Sequence, residues 1–116
     1  MNILRTFRSF PAAFKGLAVA LRTENNLKVL TLAAVAVTVL GFIFHISSNE
    51  WMMIIFAIAL VYVTEILNTA LENLVNLVSP GYHETAGKVK DIAAGAALVS
   101  TLAAIVIGLL IFIPYL

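Results

Sequence analysis

Trp51 to Val78 reads WMMIIFAIALVYVTEILNTALENLVNLV, a stretch whose two halves belong to different environments. Trp51 to Thr64 is uncharged and apolar, whereas the remainder carries Glu65, Asn68, Thr69, Glu72 and Asn76. No Pro or Gly interrupts it before Ser79-Pro80-Gly81, so the composition predicts one continuous helix over residues 49–78. A helix turns by about 100° per residue, and offsets of 3, 4, 7 and 11 from Glu65 therefore fall within roughly 60° of one direction. Two carboxylates and two amides share that face. An ionised group near the centre of a bilayer costs several kcal/mol without water, metal or another chain to compensate it. The stripe is therefore a candidate working site.

The rest of the chain supports a membrane setting. Of its 116 residues, 62% are hydrophobic and 11% charged, too apolar for an ordinary soluble domain. Residues 29–46 and 92–116 are uncharged runs, each long enough to cross a hydrocarbon core of about 30 Å. With the middle helix they predict an all-α membrane protein of three transmembrane helices in a single domain spanning 1–116. Residues 1–28 mix Arg5, Arg8, Lys15, Arg22 and Lys28 with Phe7, Phe10, Phe14, Leu17 and Leu21. The apolar members recur every three or four residues, as suits an amphipathic helix lying in the membrane interface. Pro11 predicts a break or restart within it. A cleaved signal peptide fits less well, since the basic region is long and no cleavage site follows.

All seven Lys and Arg lie between Arg5 and Lys28 or at Lys88 and Lys90, and the loop from His45 to Glu50 has none. Positive charge collects on cytoplasmic segments, which puts the amino terminus and the 79–91 loop inside and the carboxyl terminus outside. Cysteine is absent, excluding disulfides and thiolate metal sites, and a net charge of +1 carries no nucleic-acid signal. Ala93, Ala97 and Thr101, with Ala96, Ser100 and Ala104, place small residues four apart, a spacing that lets helices approach closely in lipid. The approach serves either packing within the chain or association between copies. A three-helix chain has little interior, so the stripe predicts a homo-oligomer whose subunits cover it.

Counting inward from Trp51 at about 1.5 Å per residue, Glu65 lies roughly 21 Å deeper and Glu72 roughly 32 Å deeper. The stripe thus occupies the inner third of the membrane and its cytoplasmic surface. Glu24, before the first crossing, and Lys90-Asp91, before the third, should reach the same level. Hard divalent cations such as Mg²⁺ take one or two protein carboxylates together with substrate phosphates, which suits Glu24 and Glu72. Lys90 can face phosphates, Glu65 can act as a base beside an attacking hydroxyl, and Asn68 can orient either group. The plain alternative is a helix-packing device in which Glu65 and Glu72 pair with Lys88 or Lys90.

At these residues the chain resembles the prokaryotic diacylglycerol kinase family, which includes undecaprenol kinase. The motif E-x-x-N-[ST]-A-x-E stands at Glu65, Asn68, Thr69, Ala70 and Glu72, and Y-H-E…K-D at Tyr82, His83, Glu84, Lys90 and Asp91. The similarity extends upstream through Lys15-Gly16-Leu17 and Arg22 to Lys28. It implies a homotrimer in a bacterial plasma membrane, with sites shared between subunits, that transfers the γ-phosphate of MgATP to a lipid hydroxyl. It further implies that Glu24 and Glu72 hold the metal and Glu65 is the base. Lys90 contacts phosphate and Asp91 lies near the nucleotide, with Tyr82 and His83 as further nucleotide contacts. Asn76 stands where the family usually has Asp.

The K-D-I-A-A-G-A-A-L run and the closing I-F-I-P-Y-L look more like the undecaprenol kinase branch than the diacylglycerol kinase branch. Phe14 and Leu17 are candidates for the lipid entrance, although their apolarity suits either acceptor. Outside the resemblance, an intramembrane carboxylate also fits a small proton-coupled transporter. Glu84 and Lys88 are spaced as an exposed pair one turn apart, and Trp51 and Tyr115 read as interfacial anchors.

Overall fold

The chain's apolar runs become helices whose ends are decided by polar caps. In the computed structural model, which describes residues 2–116, α1 spans Ile3–Thr23, α2 Asn25–Ile43, α3 Ser48–Val78 and α4 Glu84–Phe112. A short 3-10 helix, Ile113–Tyr115, closes the chain. Among the described residues there is no strand. Helices α2 and α3, and α4 with its 3-10 extension, are each long and apolar enough to cross a membrane.

Helix α1 begins where the Asn2 side chain accepts from the Arg5 N–H at 3.2 Å. It runs without interruption through Pro11, so the predicted break does not occur. The ring removes only the donor that would reach the carbonyl of Phe7, one bond in a helix of 21 residues. Glu24 alone separates α1 from α2, with φ −102° and ψ 116°. It is a one-residue hinge between the two helices.

The α2–α3 turn is tight because both its ends are capped. The Ile46 N–H donates to the Gly41 carbonyl at 3.2 Å and the His45 N–H to the Phe42 carbonyl at 3.4 Å, the paired bonds of a Schellman stop. His45 takes the left-handed conformation this stop requires, with φ 52°. One residue later Ser47 opens α3: its Oγ accepts from the Glu50 N–H, and Glu50 accepts from the Ser47 N–H. This reciprocal cap starts α3 at Ser48, one residue before the predicted position.

Around the turn sits the buried core of Ile46, Ile54 and Ile111. Trp51 lies over Gly41 and packs against Phe42 with ring centroids 4.9 Å apart. Phe44 meets Phe112 at 6.2 Å and Tyr115 at 5.8 Å, and the Tyr115 hydroxyl donates to Glu50 at 2.5 Å. Tyr115, read from the sequence as an interfacial anchor, thus ties the chain's end to the start of α3.

Most tertiary packing joins α3 to α4, which run antiparallel. Ala57 and Val61 on α3, and Ala93, Ala97 and Ser100 on α4, are buried. One row of the small residues noted in the sequence is therefore used within the chain, letting the helix backbones approach closely. Ala96 faces outward instead. Helices α2 and α4 begin before their uncharged runs, at Asn25 and Glu84. The His83 side chain caps α4 by accepting from the Thr85 N–H at 3.2 Å, and Glu84 in the first turn favours the helix dipole. As a result Lys88, Lys90 and Asp91 lie on helix rather than in a loop.

A Cβ added at Gly41 would lie 2.6 and 2.8 Å from two atoms of the Trp51 ring. Gly41→Ala should therefore cost about 1–3 kcal/mol of stability and shift Trp51 fluorescence. His45→Gly, which relieves the left-handed backbone, should be neutral or stabilising. Unfolding in detergent micelles followed by circular dichroism checks both, and an undiminished Gly41→Ala protein would refute this packing.

Candidate functional site

Helix α3 carries the stripe from the half-buried middle of the molecule to its exposed end. Glu65 forms part of the wall of an open groove between α2, α3 and α4, about 670 Å³ in volume. Apart from Asn26, Glu65 and Thr101, every residue lining that groove is apolar or glycine. The carboxylate is thus the charged feature of a hydrocarbon-lined space.

One turn further along α3, Asn68 Nδ2 donates to Glu72 Oε1 at 3.3 Å. Asn68 Oδ1 is buried and has no hydrogen-bond partner. Such an oxygen normally meets a donor or a cation. Glu72 lies two turns beyond Glu65 on the same face of α3, and Glu24 stands at the α1–α2 hinge. Among the described residues no three or more His, Cys, Asp or Glu side chains form a ready-made metal cluster. What exists is a set of oxygen donors chemically suited to a hard cation that brings further ligands with it.

At the exposed end of α3, Lys90 Nζ donates to Asn76 Oδ1 at 2.5 Å. This contact joins the far end of the stripe to the start of α4. His83 spends Nδ1 on its cap and lines a second cavity of about 440 Å³ with Val75, Val78, Ser79, Thr85, Ala86 and Val89. Tyr82 is 96% exposed. Asp91 is exposed and, among the described residues, makes no side-chain hydrogen bond or ion pair. Phe14 and Leu17 are exposed on α1 and are not among the residues lining the groove. Glu84 and Lys88 do pair, at 3.8 Å, with both side chains in solvent.

Sequence reasoning missed the hydroxyl pairs that hold this face. Thr64 and Ser100 lie 2.6 Å apart across α3 and α4, and Thr31 and Tyr62 lie 2.5 Å apart across α2 and α3. Thr64 also reaches the Val61 carbonyl at 3.0 Å and Ser100 the Ala97 carbonyl at 2.9 Å. Each hydroxyl has one proton, so one donates across the interface while the other donates to its own helix. The available signal was the few hydroxyls, among them Thr31, Tyr62, Thr64 and Ser100, set in otherwise apolar runs.

Comparison with known proteins supplies the decisive observation. The family described as prokaryotic diacylglycerol kinase matches residues 11–112. This chain belongs to that family. Membership makes it a lipid kinase and replaces the transporter reading. The family member called undecaprenol kinase in Bacillus subtilis (strain 168) is 42% identical over 110 residues, covering 95% of this chain and 89% of that protein. A diacylglycerol kinase from Synechocystis sp. is 37% identical over 97% of this chain and 63% of its own length. The diacylglycerol kinase of Escherichia coli (strain K12) is 26% identical over 88% of this chain and 84% of its own. The match to the diacylglycerol kinase family includes both the stripe and the Lys90 region.

The Thr64–Ser100 bond fixes α3 against α4 immediately beside Glu65. In a double-mutant cycle, Thr64→Val and Ser100→Ala should show a coupling of about 0.5–1.5 kcal/mol in unfolding from micelles. Strictly additive losses would show that the hydroxyls do not interact.

Proposed function

We propose that this lipid kinase transfers the γ-phosphoryl group of MgATP to undecaprenol at the cytoplasmic membrane surface. The carrying observation is the groove: a long hydrocarbon-lined space with the Glu65 carboxylate among its few polar groups. An isoprenoid alcohol needs apolar wall along its chain and a base or acceptor at its single hydroxyl. Diacylglycerol would bring two ester groups into the same space, where few donors stand to receive them. The 42% identity to the Bacillus undecaprenol kinase supports the same choice. Diacylglycerol remains the second reading because two of the relatives carry that name.

In the proposed reaction Glu65 accepts the proton of the lipid hydroxyl as its oxygen attacks the γ-phosphorus, and ADP departs on the opposite side. Asn68 orients the reacting groups through its unpartnered Oδ1 while its amide nitrogen steadies Glu72. The donor set fits magnesium, since Glu24 and Glu72 offer carboxylate oxygens and nucleotide phosphates complete the coordination. A magnesium ion held there would supply positive charge against the phosphates. Lys90 meets the phosphates from α4. Asp91, Tyr82 and the free Nε2 of His83 serve the nucleotide, and Phe14 and Leu17 guide lipid on the membrane-facing side.

Further proposals follow from the same reading. Helix α1 lies amphipathically in the interface, its phenylalanines in lipid and its basic residues toward headgroups. The amino terminus and the 79–83 turn face the cytoplasm, with the carboxyl terminus outside. Three copies associate, each covering part of another's stripe.

Purified protein in mixed micelles should phosphorylate undecaprenol in preference to diacylglycerol and ceramide under identical conditions. Glu65→Gln and Glu72→Gln should each lower kcat by about 100-fold or more, with Glu72→Gln also raising the Mg²⁺ concentration needed. A strong preference for diacylglycerol overturns the acceptor, and full activity in both variants overturns the site.

A further inference from the structure

The Lys90 ammonium is held by a neutral amide. Its partner at 2.5 Å is Asn76 Oδ1, and among the described residues the ion pair formed is Lys88–Glu84, not one at Lys90. Asn76 lies one turn beyond Glu72 on the same face of α3, an axial separation of about 6 Å. Lys90 comes from the neighbouring helix. The bond therefore fixes a cation beside the carboxylate end of the stripe without cancelling its charge. An ammonium has three donors, so two remain for an anion.

We infer that Asn76 is a positioning residue that aims Lys90 at the ATP phosphates. The inference rests on the proposed phosphate contact of Lys90 and adds the group that orients it. An amide suits this task because its oxygen accepts one N–H while leaving the net positive charge exposed to the nucleotide. It also shortens the search of a long side chain that would otherwise sample many rotamers in solvent. The same helix face repeats the arrangement one level deeper, where Asn68 steadies Glu72. In each case an amide holds a charged group in place.

Steady-state kinetics at saturating undecaprenol test this with Asn76→Ala, Asn76→Asp, Lys90→Met and the Ala/Met double variant. Ala is the best helix former, and Asn76 is exposed, so Asn76→Ala should fold, which circular dichroism checks. Asn76→Ala should raise KM for ATP about tenfold with kcat changed by less than about threefold. Asn76→Asp keeps an acceptor oxygen at that position but offsets the Lys90 charge, so its KM should fall between those of the parent and Asn76→Ala. The double variant should be no worse than Lys90→Met alone. Additive losses, an Asp variant as impaired as Ala, or an unchanged KM in Asn76→Ala beside a raised one in Lys90→Met would overturn the positioning role alone. An unchanged KM in Lys90→Met would instead remove the phosphate contact on which it rests.

Discussion

The register of α3 against α4 is the constraint on which the remaining structure depends. Three polar bonds set it: Tyr115 to Glu50 at one end, Thr64 to Ser100 in the middle, and Lys90 to Asn76 at the other end. Passing along α3 by 14 and then 12 residues corresponds to passing back by 15 residues from the closing 3-10 helix into α4 and then by 10 along α4. Two antiparallel helices with equal rise can satisfy all three only in one alignment. Apolar packing alone would tolerate sliding, because lipid solvates a leucine about as well as another helix does. The small faces of Ala93 and Ala97 bring the backbones close enough for the short hydroxyl pair to form.

That register explains why the stripe is usable. Glu65 follows Thr64 directly, so the bond to Ser100 fixes the position of its helix against α4. Glu24 is delivered independently, by a hinge of one extended residue between two helices. The unpartnered Asn68 Oδ1 calls for a donor or a cation.

Much of this was legible in the sequence, and the misses have physical causes. The spacing of Glu65, Asn68, Glu72 and Asn76 revealed one helix face because a period of 3.6 residues leaves few alternatives over eleven positions. Uncharged length identified three crossings but misjudged where helices begin, since helix geometry continues into charged segments once a cap supplies the first acceptor. His83 illustrates this: its role in starting α4 depends on a local conformation that composition does not encode. Pro11 reads as a break or restart, yet a single lost donor is a small defect in a long helix. The Thr64–Ser100 bond was hidden because Ser and Thr in apolar helices also satisfy themselves on the preceding turn, and a sequence does not show which option prevails. The roles given to Glu24, Glu72 and Lys90 come from oxygen and ammonium chemistry and from family resemblance, with the geometry supplying proximity.

A kinase with no strand among the described residues and no glycine-rich phosphate loop is physically reasonable. Phosphoryl transfer through a loose transition state demands little covalent assistance; it demands that charges and a hydroxyl be held in place. Helix faces can provide this. Along α3, residues at intervals of three and four present acid, amide, acid and amide on one side, each about 4.5–6 Å further along the axis. In the proposed enzyme the apolar half of the same helix keeps the acceptor's chain in lipid, while the polar half extends to where a nucleotide can arrive from water. In the proposed enzyme, α3 therefore does the work of two binding sites by crossing the boundary between two solvents, and the α3–α4 register holds the reacting level at that boundary.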